Sequence, residues 1–434
     1  MFAYYVQLAL RSFRRNKVLT ALMVLAIALG IGASMTTLTV FHVLSGDPIP
    51  GKSERLFYVQ LDPEPIDGYK PGDEPQDQLT RYDAQELLRQ AKAPRQAMMT
   101  GGGGVLEPAG TTLKPFLIGM RYTSADFFPM FEVPFLHGRG WSAADDQAHA
   151  RVAVITRELA EKLFNRADAV GRDIRVEGHG LRVVGVIDRW QPTPHFYDLT
   201  TGKYENKEEI YVPISTALEL KLGRNGSMNC FGRTVVSDPT AENVPCAWLQ
   251  YWVELDSAAD AAGYKAYLDQ YSEQQRRAGR FERPANTRLR NVMELLEFRQ
   301  VVPGDVRLQL WLAFGFLLVC LLNTVGLLLA KFLRRSGEIG VRRALGASRL
   351  EIFKQCMVES GVIGLAGGVA GLGLALLGLW AVRQRPTDYA ALAQLDARML
   401  LVTFALAIAA SLLAGLLPAW RAMRIPPALQ LKSQ

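Results

Sequence analysis

Four runs of this chain, residues 18–43, 308–330, 360–382 and 399–420, contain no Asp, Glu, Lys or Arg. A membrane-crossing helix needs about 20 predominantly apolar residues at 1.5 Å of rise each, and a soluble core seldom keeps a helix uncharged for that length. The runs therefore predict four transmembrane helices. The rest of the chain is too polar for a many-span transporter. Its 434 residues are 49% hydrophobic and 21% charged, with a net charge of +7, which fits a few spans plus a sizeable water-exposed domain.

Arg14, Arg15 and Lys17 precede the first run, as they would in a secretory signal. That run exceeds the apolar region of about 7–15 residues usual for such signals, and GDPIP (46–50) closes it as an ordinary helix end. It reads as a retained anchor. Orientation follows from the short flanks: Arg11, Arg14, Arg15 and Lys17 come before the first run, seven Lys/Arg lie in 331–354, and Arg421, Arg424 and Lys432 follow the fourth. Positive-inside bias places both termini and the 331–354 segment in the cytoplasm, and residues 47–306 outside. A basic fringe facing lipid accounts for the excess positive charge without nucleic acid.

The expected organisation is an α-helical membrane protein with a large α+β domain inserted between its first and second spans. Residues 1–17, MFAYYVQLALRSFRRNK, carry apolar residues at three- and four-residue spacing and read as an amphipathic interface helix. The first span occupies 18–46, the outer domain 47–306, the second span 307–331 and a charged cytoplasmic segment 332–359. The third span is 360–382, a short outer loop 383–398, the fourth span 399–421 and a cytoplasmic tail 422–434. Within the outer domain, two subdomains are expected with a β-rich middle at about 100–235. LFYVQL (56–61), RVAVIT (151–156), LRVVGVI (181–187), EIYVP (209–213) and 248–255 read as strands. Residues 81–91, 158–164 and 258–278 read as helices, and 287–306 as a helix or stalk entering the second span.

Cys230 and Cys246 lie in the outer domain, where they either pair or stay free and buried; a disulfide there would contribute about 3 kcal/mol. Catalytic signatures are missing from the sequence. There is no GxxxxGK[ST] phosphate loop, HExxH, GxSxG or CxxC. GGGG (101–104) lacks the Lys-Ser/Thr of a phosphate cradle and reads as a flexible turn. His137, His149, His179 and His195 show no ligand spacing, and the adjacent Asp145 and Asp146 read as a solvated turn. The apolar runs hold little that is polar beyond Asn323 and His42, so the membrane region is expected to act mechanically, without an ion pathway.

The stretch SGEIGVRRALGAS (336–348) stands between the second and third runs. It predicts a short charged helix stopped at Gly346, with Ser348 and Glu351 forming a capping box for the next helix. Composition alone favours a solvated basic loop touching lipid phosphate. EIGVRRALGASRLEIFKQCMVES (338–360) resembles the coupling segment of the MacB/FtsX-like family of ABC transporter permeases. The likeness extends to ALRSFRRNKVLTALMVLAIALGIGAS (9–34), to YTSADFFPMFEVPFLHGRGWSAADDQAHARVAVITRELAEKLF (122–164), to VGRDIRVEGHGLRVVGVIDRW (170–190) and to PAWRAMRIPPALQLK (418–432).

The resemblance implies a non-enzymatic permease subunit of the bacterial inner membrane whose outer domain is periplasmic. ATP and magnesium would be bound by a dimer of ABC ATPase subunits supplied separately. Glu338, Ile339, Gly340, Arg342, Arg343, Ala344, Gly346 and Ala347 would seat on the ATPase, whose motion would pass to the periplasm by mechanotransmission. A second permease copy, identical or paralogous, a periplasmic adaptor and an outer-membrane channel are implied partners besides membrane lipid. The leading expectation is export of a peptide, antibiotic or similar amphiphile; a lipoprotein-releasing permease and an FtsX-like signalling scaffold are the alternatives. The family often carries an ATPase domain ahead of the first span, which is not seen here, and residues 50–110 match it only loosely.

Overall fold

The computed structural model describes residues 2–108, 113–204, 208–232, 237–384 and 397–424. Residues 385–396 of the expected outer loop and 425–434 of the expected tail lie outside them, with the end of the PAWRAMRIPPALQLK stretch. The chain forms two compact units, Gly46–Val301 and Met1–Ser45 with Val302–Gln434.

The chain opens with α1 (Phe2–Arg15), and after Asn16 α2 (Lys17–Ser45) begins. The unit that follows contains β1 (Leu56–Gln60), β2 (Leu79–Thr80), α3 (Arg81–Gln90), β3 (Arg95–Leu106), β4 (Phe116–Thr123), α4 (Phe127–Met130) and β5 (Phe135–Gly138). Next come α5 (Ala143–Gln147), β6 (Val152–Thr156), α6 (Arg157–Phe164), β7 (Asp173–Val176), β8 (His179–Ile187), β9 (Glu208–Pro213) and α7 (Ile214–Glu219). It closes with β10 (Asn229–Cys230), β11 (Cys246–Glu254), α8 (Ala258–Arg277), β12 (Arg288–Asn291) and α9 (Val292–Phe298).

Among the described residues one sheet path runs β12-β1-β11-β3-β4-β9-β6-β8-β5, so the two expected subdomains share a sheet. Most pairs are antiparallel; β4 with β9 and β6 with β8 are parallel. All nine residues of β11 are buried, which is why CAWLQYWVE is apolar with little alternation: it lies between β1 and β3 with both faces covered. Helix starts follow local chemistry. Thr80, Thr156 and Ser257 accept bonds from the backbone of α3, α6 and α8, and Asn291 with Glu294 forms a capping box on α9. Tyr271 of α8 donates to Asp83 of α3 at 2.7 Å, tying the two helices together. A disulfide joins Cys230 to Cys246 across β10 and β11.

Two expectations for this unit are corrected. Gly101–Gly104 form the middle of β3 and pair with β4 from Arg121 to Ile118. The glycines are there for close approach: a Cβ on Gly102 would overlap the Tyr122 ring, and one on Gly101 would overlap Asn225 Oδ1. Asn225 N–H and side-chain amide bond the carbonyls of Gly101 and Gly102, both at 3.0 Å, so a neighbouring loop rests directly on the bare strand. The segment 287–306 is likewise no single stalk. β12 pairs with β1, the Asn291 box starts a separate short helix, and Pro303 precedes a new one.

The second unit adds α10 (Gly304–Arg334), α11 (Ser336–Ala344), α12 (Arg349–Arg383) and α13 (Ala397–Met423) to α1 and α2. Its four long helices are each long and apolar enough to cross a membrane. Small residues bring them close. A Cβ on Gly367 of α12 would fall 2.6 Å from Ile27 of α2, and one on Gly364 would overlap Ser411 of α13, so α12 packs tightly on both neighbours. Charge is not confined to the helix ends as the sequence suggested. α10 and α12 run past the apolar stretches and carry Lys331 and Glu359 into the bundle, where both are buried.

Candidate functional site

The residues flagged by the resemblance fall on α11 and the turn after it. Gly346 ends the helix with φ +104°, a backbone conformation that L side chains rarely adopt. Gly346 N–H donates to Arg343 O at 3.2 Å and Ala347 N–H to Arg342 O at 3.0 Å, the paired bonds of a Schellman stop. Ser348 then caps α12: Glu351 N–H donates to its hydroxyl at 3.2 Å, and Ser348 N–H to the Glu351 carboxylate at 2.8 Å. A rigid helix–turn–helix results, with α11 presented between two long apolar helices.

α11 has two unlike faces. Ile339 and Gly340 are buried, and Ile339 packs in the bundle core with Ile352 and Cys356, so it does not face outward as the expected docking role required. Its place in the apolar pattern turns it onto the core side of the helix. Glu338 and Arg342 pair with each other at 3.0 Å; Glu338 also meets Arg335 at 3.2 Å and Arg342 also donates to Gln355 of α12 at 2.9 Å. Arg343 donates to Met423 O at 3.5 Å. The outward face consists of Val341, Ala344, Leu345 and Gly346, and Leu345 is 84% exposed.

Behind α11 lies a buried ionic cluster that sequence reasoning missed. Lys331 Nζ sits 2.7 Å from Glu359 Oε1 and Arg335 Nη1 3.1 Å from Oε2. Ser12 of α1 donates its hydroxyl to Glu359 Oε1 at 2.6 Å and accepts from Arg335 at 3.2 Å. The signal available was slight: Lys331 and Glu359 adjoin the apolar runs and read there as ordinary flanking charges.

The other unit holds a second buried polar centre. Arg121 of β4 is fully buried, 2.8 Å from Asp198 Oδ2 and, through Nε, 2.9 Å from Glu208 Oε1. Tyr197 donates to Glu208 at 2.9 Å, Gln250 to Asp198 at 3.1 Å, and His195 Nε2 lies 3.6 Å from Glu208. Burial alone would lower the Arg121 pKa, and the two carboxylates more than reverse this, so it is raised. For His195 burial prevails and its pKa is lowered. Phe127, Phe131, Trp190, Tyr197 and Trp252 stack around the cluster edge-on or face-to-face, which seals it from water. A sealed cluster of this kind, in which only His195 Nε2 and Gln250 Oε1 among the groups named lack a hydrogen-bond partner, organises a core. Among the described residues no group of His, Cys, Asp and Glu could hold a metal ion. His137, His149, His179 and His195 do not converge, and Asp145 serves as the capping partner of Ser142.

The MacB-like periplasmic core domain family matches residues 20–271, and the FtsX-like permease C-terminal family matches residues 310–427. Among full-length relatives, the pyoverdine export ATP-binding/permease protein PvdT of Pseudomonas fluorescens is 25% identical over 99% of this chain and 59% of its own length. The macrolide export ATP-binding/permease protein MacB of Rhodospirillum rubrum is 25% identical over all of this chain and 61% of its own. The chain thus spans about three-fifths of the relatives it matches. The periplasmic region of MacB from Actinobacillus actinomycetemcomitans aligns with 59% of this chain and 97% of its own at 15% identity and a TM-score of 0.38. With one family covering the first span and the α/β domain and the other the last three long helices, the chain belongs to the MacB/FtsX-like family of ABC transporter permeases.

Proposed function

We propose that this chain is the permease subunit that converts ATP hydrolysis in an ABC ATPase into movement of its periplasmic domain. The observation that carries the reading is α11: a short helix held from behind by Ile339 and Arg342, stopped at Gly346, with Val341 and Leu345 pointing outward. Such a helix can be gripped as a lever, because force applied at its tip passes to α10 and α12 through fixed contacts. α11 and both chain termini then lie in the cytoplasm, in keeping with the basic flanks. ATP and magnesium belong to the ATPase, since these 434 residues contain no phosphate-binding loop. The working unit pairs two permease copies with two ATPase subunits, and an adaptor and outer-membrane duct complete the path. Export of a peptide, antibiotic or similar amphiphile fits the family and the names of the relatives.

The test is co-purification of the tagged chain in mild detergent, with and without Leu345→Glu. A P-loop ATPase should accompany the native chain and be lost from the variant, which folds normally because Leu345 is exposed. An ATPase that remains with the variant, or none with either chain, would overturn the reading.

A further inference from the structure

The buried cluster behind α11 joins four elements at one carboxylate. Glu359 of α12 receives the Ser12 hydroxyl from α1 at 2.6 Å, the Lys331 ammonium from α10 at 2.7 Å and the Arg335 guanidinium at 3.1 Å. Lys331 and Glu359 side chains are 0% and 3% exposed, so water screens this pair little. Arg335 stands at the junction of α10 and α11, and its other edge reaches Glu338 on the first turn of α11, from Nε and Nη2, both at 3.2 Å. Glu338 passes the contact to Arg342, and Arg342 to Gln355. Gln355 and Glu359 are one helical turn apart, so the relay begins and ends on one face of α12. Phe13, next to Ser12, lies under the Lys331 ammonium at 4.9 Å from its ring centre. α1 is far from α11 along the chain, yet this cluster ties the two together.

We infer that Glu359 is a positioning residue that locks the N-terminal helix α1 to α11, so that α1 moves with α11 when the ATPase binds nucleotide. The inference rests on the docking reading above and adds α1 to the moving parts. Its physical basis is that Glu359 of α12 gathers a hydroxyl from α1, an ammonium from α10 and a guanidinium from the α10–α11 junction, so that drawing a cation away leaves buried charge less compensated and drawing α1 away costs the carboxylate its Ser12 hydrogen bond. The elements therefore shift as one body.

The experiment uses the full complex with its co-purified ATPase in lipid nanodiscs, with an environment-sensitive fluorophore on Tyr4→Cys. Tyr4 is 57% exposed, and Cys320 and Cys356 are buried. The native complex should change fluorescence on adding ATP, magnesium and orthovanadate. Glu359→Gln keeps the shape and removes the charge, and Ser12→Ala removes one hydroxyl. Each should shrink the response about fivefold or more while ATP hydrolysis stays within about twofold, a split that general misfolding would not produce. Should Glu359→Gln fail to assemble, Ser12→Ala carries the test alone. A native-sized response in the assembled variants, or a native complex whose residue 4 ignores nucleotide, would overturn the inference. Leu345→Glu separates the two claims: retention of the ATPase by that variant defeats docking. Its loss there, with full responses in Glu359→Gln and Ser12→Ala, defeats the Glu359 lock alone.

Discussion

The ammonium of Lys331 and the carboxylate of Glu359 meet at 2.7 Å inside a helix bundle, with neither side chain exposed. Removing Lys331 leaves the Glu359 carboxylate held by Arg335 at 3.1 Å and Ser12 at 2.6 Å, with one buried cation fewer. Lys331→Met should therefore destabilise the chain by roughly 1–3 kcal/mol, whereas Lys331→Met with Glu359→Gln should recover most of that loss. Thermal or denaturant unfolding in detergent micelles distinguishes the two. Equal stability of the single and double variants would contradict the pairing.

Helix approach in the same bundle depends on residues without side chains. A Cβ on Gly367 would fall 2.6 Å from Ile27, so Gly367→Val must push α12 away from α2 or force Ile27 out of its rotamer. The expected cost is about 1–3 kcal/mol, from overpacking. Gly373, where an added Cβ would meet nothing within 4 Å, is the matched control, and Gly373→Val should be near neutral. Melting temperatures of the two variants give the comparison.

The Cys230–Cys246 disulfide closes a loop between two strands, with a sequence separation of 16. By constraining the unfolded chain it stabilises the α/β unit by about 3 kcal/mol, so Cys230→Ser with Cys246→Ser should lower stability by that order. Hydrogen exchange of β11 in the full-length chain should quicken in the variant, while exchange in α2 and α12 should not change.

His195 makes the α/β unit sensitive to acid. Burial lowers its pKa below the ordinary value of 6.5, so in the folded state it resists protonation beside Arg121, Glu208, Asp198 and Tyr197. The unfolded chain takes up the proton first as pH falls. Stability is therefore complete above about pH 6.5 and declines from there toward the depressed folded pKa. His195→Gln should flatten the decline in protection of β4 and β9 as pH falls below about 6.5, measured by hydrogen exchange on the intact chain. An unchanged slope would show that another group titrates in that range.

Much of this architecture was legible in the residues because the governing interactions are local. A run such as 308–330 announces a membrane helix through length and missing charge alone. The Ser348–Glu351 box and the Gly346 stop were equally readable, since their partners are three to five residues away along the chain. The orientation of α11 was not. Ile339 looked like one of several docking residues, and only packing against Ile352 and Cys356 turns it inward and leaves Leu345 as the exposed tip.

The sequence by itself determined four apolar helices, an inserted α/β domain, the caps that start and stop its helices, and the family. Each follows from periodicity, composition or short-range hydrogen bonding. Tertiary structure alone decided which distant groups meet. Lys331, Glu359 and Ser12 converge only when α1, α10 and α12 are packed together, and Gly101–Gly104 become a strand only through pairing with β4, with Asn225 and Tyr122 in the space that side chains at Gly101 and Gly102 would fill. Burial creates those partnerships, and burial is a property of the folded surroundings that no short window of sequence contains.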